Sequence, residues 1–447
     1  MRFWYNLFFT FFFLASSPYY FWRMSRRGNW QSGFQGRFGK YPSKLKAALT
    51  NRHILWIHAV SVGEVNIATQ MIRTIETRLP NLKLVVSTTT STGMAELRKR
   101  LPSHIEKIYY PIDRRSFVSR ALRVISPEAI VLVEAEIWPN FLWRARSRGI
   151  PTFLVNARLS ERSFRGYRRF GFLFRQLFRF FAGIGVQNEQ DRQRLIQLGG
   201  RPEAVRVVGN LKFDGAVLAE KPALDVPTLL KKLGVTVDHP ILVCGSTHPG
   251  EEAILGRVFT RLKKEFPKLF LIVVPRHFER GQEAGSDLQK AGIKLAYRTE
   301  VSSSTPSRRP EIECLLVNTT GELRDFYRPA TAIFIGKSLV GEGGQNPIEP
   351  AALGKPVVFG PNMQNFASIT EAFLRADAAV QVSNEAELEQ AFRNLLLDST
   401  RRDQLGQRAL QVVQDNKGSI DRTVDMIVEH LKDEDIYVAP SASRETS

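Results

Sequence analysis

The chain has 447 residues, 43% hydrophobic and 24% charged, with a net charge of +19. That length is too great for a single hydrophobic core and requires two or three domains. Its two cysteines, Cys244 and Cys314, lie in or beside apolar, strand-like runs, which excludes a disulfide framework or a cysteine-based metal cluster.

The positive charge is confined to one half. Residues 1–218 carry 35 Lys and Arg against 13 Asp and Glu, a net of +22, whereas residues 219–447 carry 28 against 31, a net of −3. Such a field attracts a polyanion: nucleic acid, anionic lipid or a phosphorylated substrate.

In chain order, Phe3–Trp22 is apolar, aromatic and uncharged, and Arg23, Arg26, Arg27, Arg37 and Lys40 come directly after it. About 20 apolar residues span a bilayer as a helix, and basic residues just after it hold the next domain on the cytoplasmic side. No small-residue cleavage site precedes the basic run, so a cleaved signal is disfavoured. The expectation is a membrane anchor over residues 1–24. Asn6, Ser16, Ser17, Pro18 and the Tyr and Trp content keep an interfacial helix as the second choice. From Ile54 onward, β-rich runs (Ile54–Val60, Leu82–Ser87, Ile105–Tyr110, Ala129–Val133, Thr152–Asn156, Val205–Val208) alternate with helical segments such as Val65–Arg78, Ser116–Val124 and Asp191–Leu198. Alternating strands and helices predict a parallel sheet covered on both faces. A first α/β domain is thus expected over residues 25–214 and a linker over 215–240. A second domain is expected over 241–432, with strands at Ile241–Cys244, Leu269–Val274, Cys314–Asn318, Ala332–Ile335 and Val357–Phe359. Two doubly wound domains in tandem put the ligand-binding ends of their strands on either side of a cleft. Val301–Pro310 reads as a polar insertion and residues 433–447 as a disordered tail.

Several strand ends carry chemistry. His58–Glu64 (HAVSVGE) runs from the first strand into a helix starting at or just before Glu64. There the helix dipole keeps a carboxylate ionised, fit for a general base, although many first-turn acids only complement the dipole. Glu134 and Glu136 leave the fourth strand before Trp138-Pro139, and both point the same way if the strand persists. Lys212, in Gly209–Asp214, is a cation able to stabilise a departing phosphate. Ser160–Phe181 interleaves Arg162, Arg165, Arg168, Arg169, Arg175 and Arg179 with aromatics. That composition suits anionic lipid more than a core helix with snorkelling arginines, and nucleic acid is a further alternative.

In the second half, Pro275-Arg276 comes after a strand, a good place for Arg to meet phosphate. Gly321-Glu322-Leu323 comes after another strand. Residues Gly343–Pro361 read GGQNPIEPAALGKPVVFGP: a Gly-rich turn, a short helix beginning near Pro347, Glu349 in its first turn, then a strand. Backbone N–H groups beside flexible glycines suit a phosphate, and Glu349 suits ribose hydroxyls. An ordinary αβ connection fits this segment equally well. His58, His248 and His277 show no metal-ligand spacing, so no catalytic metal is expected.

Taken together, GRFG at Gly36–Gly39, HAVSVGE at His58–Glu64, EIWPN at Glu136–Asn140, GNLKFD at Gly209–Asp214, PR at Pro275–Arg276, GEL at Gly321–Leu323, NPIEPAALGKPV at Asn346–Val357 and GPNMQNF at Gly360–Phe366 resemble the 3-deoxy-D-manno-octulosonic acid (Kdo) transferase family. The resemblance implies a GT-B glycosyltransferase of two Rossmann-like domains, inverting and metal-independent. The implied donor is CMP-Kdo and the implied acceptor a lipid A precursor (lipid IVA) at the cytoplasmic side of the cell inner membrane, with no other cofactor and no nucleic acid. By the same resemblance Glu64 matches the general base, and Glu134 and Lys212 match positions that support the transition state. Pro275, Arg276, Gly321, Glu322, Leu323, Asn346, Pro347, Ile348 and Glu349 match the CMP-binding segments. Ala135 departs from the Thr often found between the two acids. The competing expectations are a GT-B transferase using a UDP donor and a membrane-tethered nucleic-acid-binding protein.

Overall fold

The computed structural model describes residues 2–26, 33–134, 136–214, 224–301 and 311–431. The chain divides into two compact units, Met1–Gly215 with Gly418–Ser447, and Ala216–Lys417.

The first unit is built on seven parallel strands: β1 (Ile54–His58), β2 (Lys83–Thr88), β3 (Glu106–Tyr109), β4 (Ala129–Val133), β5 (Thr152–Ala157), β6 (Gly183–Val186) and β7 (Val205–Val207). Their order is β3-β2-β1-β4-β5-β6-β7. Parallel strands are covered on both faces, so β1 and β4 are buried at every position. Along β1, Trp56 joins the apolar layer of Ile130, Leu132 and Phe141, whereas Leu55 and Ile57 join the layer of Val131, Ile72 and Ile427. The order reverses between β1 and β4, and the crevice outside the carboxyl ends at such a reversal is where α/β sheets take ligands.

Five helices of this unit matter below: α1 (Arg2–Arg26), α2 (Val62–Arg78), α3 (Pro139–Ser147), α4 (Glu161–Arg169) and α5 (Gly171–Phe178). The structure does not confirm the expected membrane-spanning anchor. Residues 2–26 are helical, but no described helix is long and apolar enough to cross a membrane. Asn6, Ser16, Ser17 and Pro18 dilute its apolar run, and Pro18 also removes one helix hydrogen bond. Positions 5, 6, 9, 10, 13, 16 and 17 are half-buried, while Phe3, Trp4, Leu7, Phe8, Phe11 and Phe12 are exposed. The Arg-rich stretch breaks into α4 and α5. Phe164, Phe178 and Phe181 enter the core, and Phe170, Phe172 and the six arginines face outward. It therefore combines a core helix with a basic, aromatic surface.

A sixth helix, α6 (Ser419–Val428), falls within the range expected for the second domain. It belongs instead to the first unit, where Ile420, Val424, Ile427 and Val428 share the layer of Ile72 and Ile75 from α2. Asp214 sets its start by accepting the Gly418 and Ile420 N–H groups, both at 2.7 Å.

The second unit repeats the plan with β8 (Ile241–Thr247), β9 (Phe270–Pro275), β10 (Leu295–Tyr297), β11 (Cys314–Leu316), β12 (Ala332–Ile335), β13 (Val357–Phe359) and β14 (Val380–Gln381), in the order β10-β11-β9-β8-β12-β13-β14. Cys244 and Cys314 are buried and unbridged in its core. The linker expected over 215–240 is shorter than that. Residues 224–240 belong to the second unit and contain the helix Val226–Lys232, and Leu224 N–H donates to Asp325 Oδ2. The expected tail 433–447, position 135 and all of the polar insertion but Val301 lie outside the described residues.

Candidate functional site

At the carboxyl end of β1, α2 begins at Val62, two residues before the expected start. Ser61 Oγ accepts the Glu64 N–H at 3.2 Å, and Glu64 Oε2 accepts the Val60 N–H at 2.8 Å. Ser61 thereby pairs one N–H that a helix start leaves free, and Glu64 reaches back to the residue before the N-cap. Both contacts hold the carboxylate at the carboxyl end of β1. Glu64 is only 9% exposed. Burial raises its pKa above the usual carboxylate range; the bonds from Val60 and Ser61 oppose that, and the negative charges of Glu134 and Glu136 add to it. A carboxyl with raised proton affinity is suited to taking a proton near neutral pH.

The two acids after β4 do not point the same way, because the strand does not persist. It ends at Val133, and Glu134 adopts a left-handed backbone, φ 64°. Glu134 turns toward β5 and β7, its Oε1 3.4 Å from Asn156 Nδ2 and 3.5 Å from Lys212 Nζ. Glu136 turns toward β1, accepting the Trp138 Nε1–H at 2.7 Å and lying 3.9 Å from His58 Nε2. His58 is fully buried, stacks on Tyr110 at 3.7 Å, and burial pushes its pKa down to about 3. Its Nδ1 meets the Ser87 Oγ at 2.9 Å and the Ser87 carbonyl at 3.1 Å.

Sequence reasoning missed Asn156. It is fully buried in a left-handed conformation and ties Glu134 to the 209–214 turn, its Oδ1 accepting the Leu211 N–H at 3.2 Å. Asp113, which caps α3 from 27 residues away, was missed as well.

In the second unit, Pro275-Arg276, Gly321–Leu323 and Asn346–Glu349 come after β9, β11 and β12. Arg276 is exposed at the end of β9, and its N–H donates to the Thr247 carbonyl at 3.0 Å. Glu349 is half-buried. Burial raises its pKa, while the Asn346 bond and the positive charges of Arg324 and Arg276 lower it, which brings two of these segments and Arg324 together. The short helix is a single turn, Ile348–Ala351, and Pro347 precedes it rather than opening it. Asn346 caps it, accepting the Ile348 N–H at 3.1 Å and donating to Glu349 at 3.3 Å. A four-residue helix carries little macrodipole, and the Gly343 and Gly344 N–H groups are already paired with Gln364 Oε1 and the Lys337 carbonyl, so charge recognition falls to side chains. Gly343 and Gly344 have positive φ, 108° and 68°, in the adjoining loop. Glu322 is engaged inside the protein, accepting from Arg298 at 2.9 Å and from Thr319. Glu251, not singled out in the sequence, is fully buried and gathers the N–H groups of Lys337, Ser338 and Leu339 at 2.7–3.1 Å, shaping the loop after β12. No group of three or more His, Cys, Asp or Glu among the described residues is arranged to hold a metal ion.

Two parallel seven-stranded sheets, each reversing order at its centre and each gathering polar side chains at its carboxyl edge, make the architecture that GT-B glycosyltransferases use. Residues 32–215 match the family described as 3-deoxy-D-manno-octulosonic-acid transferase (kdotransferase). The chain is 30% identical to the 3-deoxy-D-manno-octulosonic acid transferase of Haemophilus influenzae, over 85% of this chain and 87% of that one. It is 31% identical to the Bordetella pertussis enzyme of the same name, over 92% and 95%. The chain belongs to the Kdo transferase family. Its fold is also shared with the UDP-GlcNAc 2-epimerase of Neisseria meningitidis, at a TM-score of 0.54 and 13% identity over 84% of this chain and all of that one.

Proposed function

We propose that the chain transfers Kdo from CMP-Kdo to a lipid A precursor, lipid IVA, in the inner core of lipopolysaccharide, with inversion and without a metal. The observation that carries this is the acidic edge of the first sheet in a member of the Kdo transferase family: Glu64 held by the Val60 N–H at the end of β1, and Glu134 paired with Lys212. Glu64 takes the proton of an acceptor hydroxyl. That oxygen attacks the anomeric carbon of Kdo from the side opposite the phosphate, the bond to CMP breaks, and CMP leaves with the electron pair. Positive charge grows on the sugar and negative charge on the phosphate; Lys212 is the cation beside the acids of the first unit, and Arg276 a cation at the donor segments of the second. Arg276, Glu349 and the segments 321–323 and 346–348 hold the cytidylate.

The enzyme works at the cytoplasmic side of the inner membrane. Supporting this are the exposed Phe3, Trp4, Phe8, Phe11 and Phe12 of α1, and the exposed arginines beside Phe170 and Phe172. An apolar helix face with a basic surround binds anionic lipid by lying in the interface.

The test is incubation of the full chain with CMP-Kdo and tetraacylated precursor, with EDTA present, and then mass measurement of the lipid. A mass gain of whole Kdo units is expected. Transfer only from UDP-sugars, or only with added metal, would overturn the donor or the metal-independent mechanism respectively.

A further inference from the structure

The buried carboxylate of Asp113, 2% exposed, accepts three hydrogen bonds. Two come from the start of α3: Asn140 N–H to Oδ2 at 3.0 Å and Phe141 N–H to Oδ1 at 2.8 Å. They replace the cap that Trp138, at the N-cap position, does not provide. The third comes from α1: Tyr5 Oη–H to Oδ2 at 2.7 Å. Next to it, Asn6 and Asn140 exchange both side-chain bonds, at 3.0 and 3.2 Å. Tyr5 also meets Trp143 of α3 edge-on at 5.6 Å, and Arg2 lies over the same ring at 5.3 Å. Burial pushes the Asp113 pKa up to about 7, and the bond from Tyr5 opposes that shift.

The α3 start is the continuation of Glu136-Ile137-Trp138, the turn that brings Glu136 to His58 and Trp138. A helix whose other face is exposed and apolar is thus hydrogen-bonded to Asp113 and to the start of α3, which continues the turn bearing one of the site's acids. Simple anchoring would not require this contact, because an anchor works equally well on a loose tether.

We propose that α1 is a positioning element of the transfer site, with Tyr5 and Asn6 acting through Asp113 and Asn140 to hold the Glu136 turn in its working geometry. This rests on the Kdo-transfer reading above. It predicts that loosening α1 lowers turnover itself, not only capture of a lipid acceptor.

The experiment uses the full chain with acceptor in detergent micelles, measuring kcat and KM separately, and CMP affinity by calorimetry. Tyr5→Phe removes one hydroxyl without changing shape, and Asn6→Ala removes the exchanged pair. Each is expected to lower kcat three- to tenfold, with KM and CMP affinity within twofold of the parent. Asn6→Asp, which keeps an acceptor for Asn140 Nδ2, is expected to recover part of the loss. Unchanged kcat in Tyr5→Phe and Asn6→Ala, or a defect confined to KM, overturns the positioning role while leaving Kdo transfer standing. A parent chain that transfers no Kdo overturns both readings.

Discussion

Lys212 Nζ stands 3.5 Å from Glu134 Oε1, although their strands, β7 and β4, are separated by two others. Glu134 holds a left-handed backbone that costs a non-glycine residue about 1–2 kcal/mol. Asn156 and Lys212 are the groups that hold its side chain there. The pair is half-exposed, so its value to stability is small. In the proposed reaction its weight is electrostatic, Lys212 setting a positive charge beside the acids.

Lys212→Met is therefore expected to lower kcat on the order of 100-fold, the usual loss when one preorganised electrostatic contact is removed. CMP affinity should be unchanged, since Lys212 belongs to the first unit. Steady-state kinetics with CMP titration decide this; a kcat within threefold of the parent would remove Lys212 from the mechanism.

Glu64 ties back to the Val60 N–H and, in the proposed reaction, serves as the base; substitution separates the two. Glu64→Gln retains an oxygen for the Val60 N–H, so α2 should start unchanged, while no group remains to take the proton. Transfer is expected to be abolished, with CMP still bound and the melting temperature near that of the parent. In the parent, burial raises the Glu64 pKa. The acid limb of the kcat/KM profile should thus lie above the ordinary glutamate value of about 4.3. Activity falls as pH drops through that limb, because the base becomes protonated. The stability linkage has the opposite sense. A carboxyl that binds its proton more tightly when folded contributes stability below its unfolded pKa and loses it as pH rises through the folded one. Glu136→Gln removes a neighbouring negative charge and should move the limb to lower pH.

Much of this architecture could be read from local pattern. β4, β12 and β13 fall on the apolar runs Ala129–Val133, Ala332–Ile335 and Val357–Phe359. β6 was missed because its pattern is GIGV, and glycine argues against a strand. Those glycines answer to distant neighbours. A Cβ on Gly183 would come within 3.0 Å of Met426 in α6, and one on Gly185 within 3.0 Å of Val208. The motif acids were legible because they sit where a strand becomes a helix. Asn156 and Asp113 were not, since their partners lie 22 to 108 residues away and no spacing rule reaches so far. α6 was misassigned for the same reason: its cap, Asp214, lies 204 residues earlier.

That cap offers a stability test apart from catalysis. Asp214 accepts two N–H groups at the start of α6, and α6 covers one face of the first sheet. Asp214→Ala leaves both donors without a partner and should cost about 1–3 kcal/mol. Asp214→Asn, which keeps one acceptor oxygen, should cost less. Urea unfolding monitored on the first unit measures both, and equal stability of Asp214→Ala and the parent would show that packing alone holds α6.

In the second unit the charge that meets a phosphate is expected to come from Arg276. Its side chain is exposed at the end of β9, while Glu349, close enough for its pKa to respond to that charge, is half-buried and held by Asn346. A charge-assisted hydrogen bond is worth about 1.5–3 kcal/mol, so Arg276→Ala should weaken CMP binding roughly 10- to 100-fold. Arg276→Lys keeps the charge but loses the planar fork and should recover only part of the affinity. Glu349→Gln tests the other end of the ligand: it should weaken CMP, and weaken deoxy-CMP less, if the carboxylate accepts from ribose hydroxyls. Calorimetric titration at two salt concentrations separates the contributions, because the Arg276 part should shrink with ionic strength while the Glu349 part changes little. Equal CMP affinity in Arg276→Ala and the parent would move the phosphate away from the end of β9.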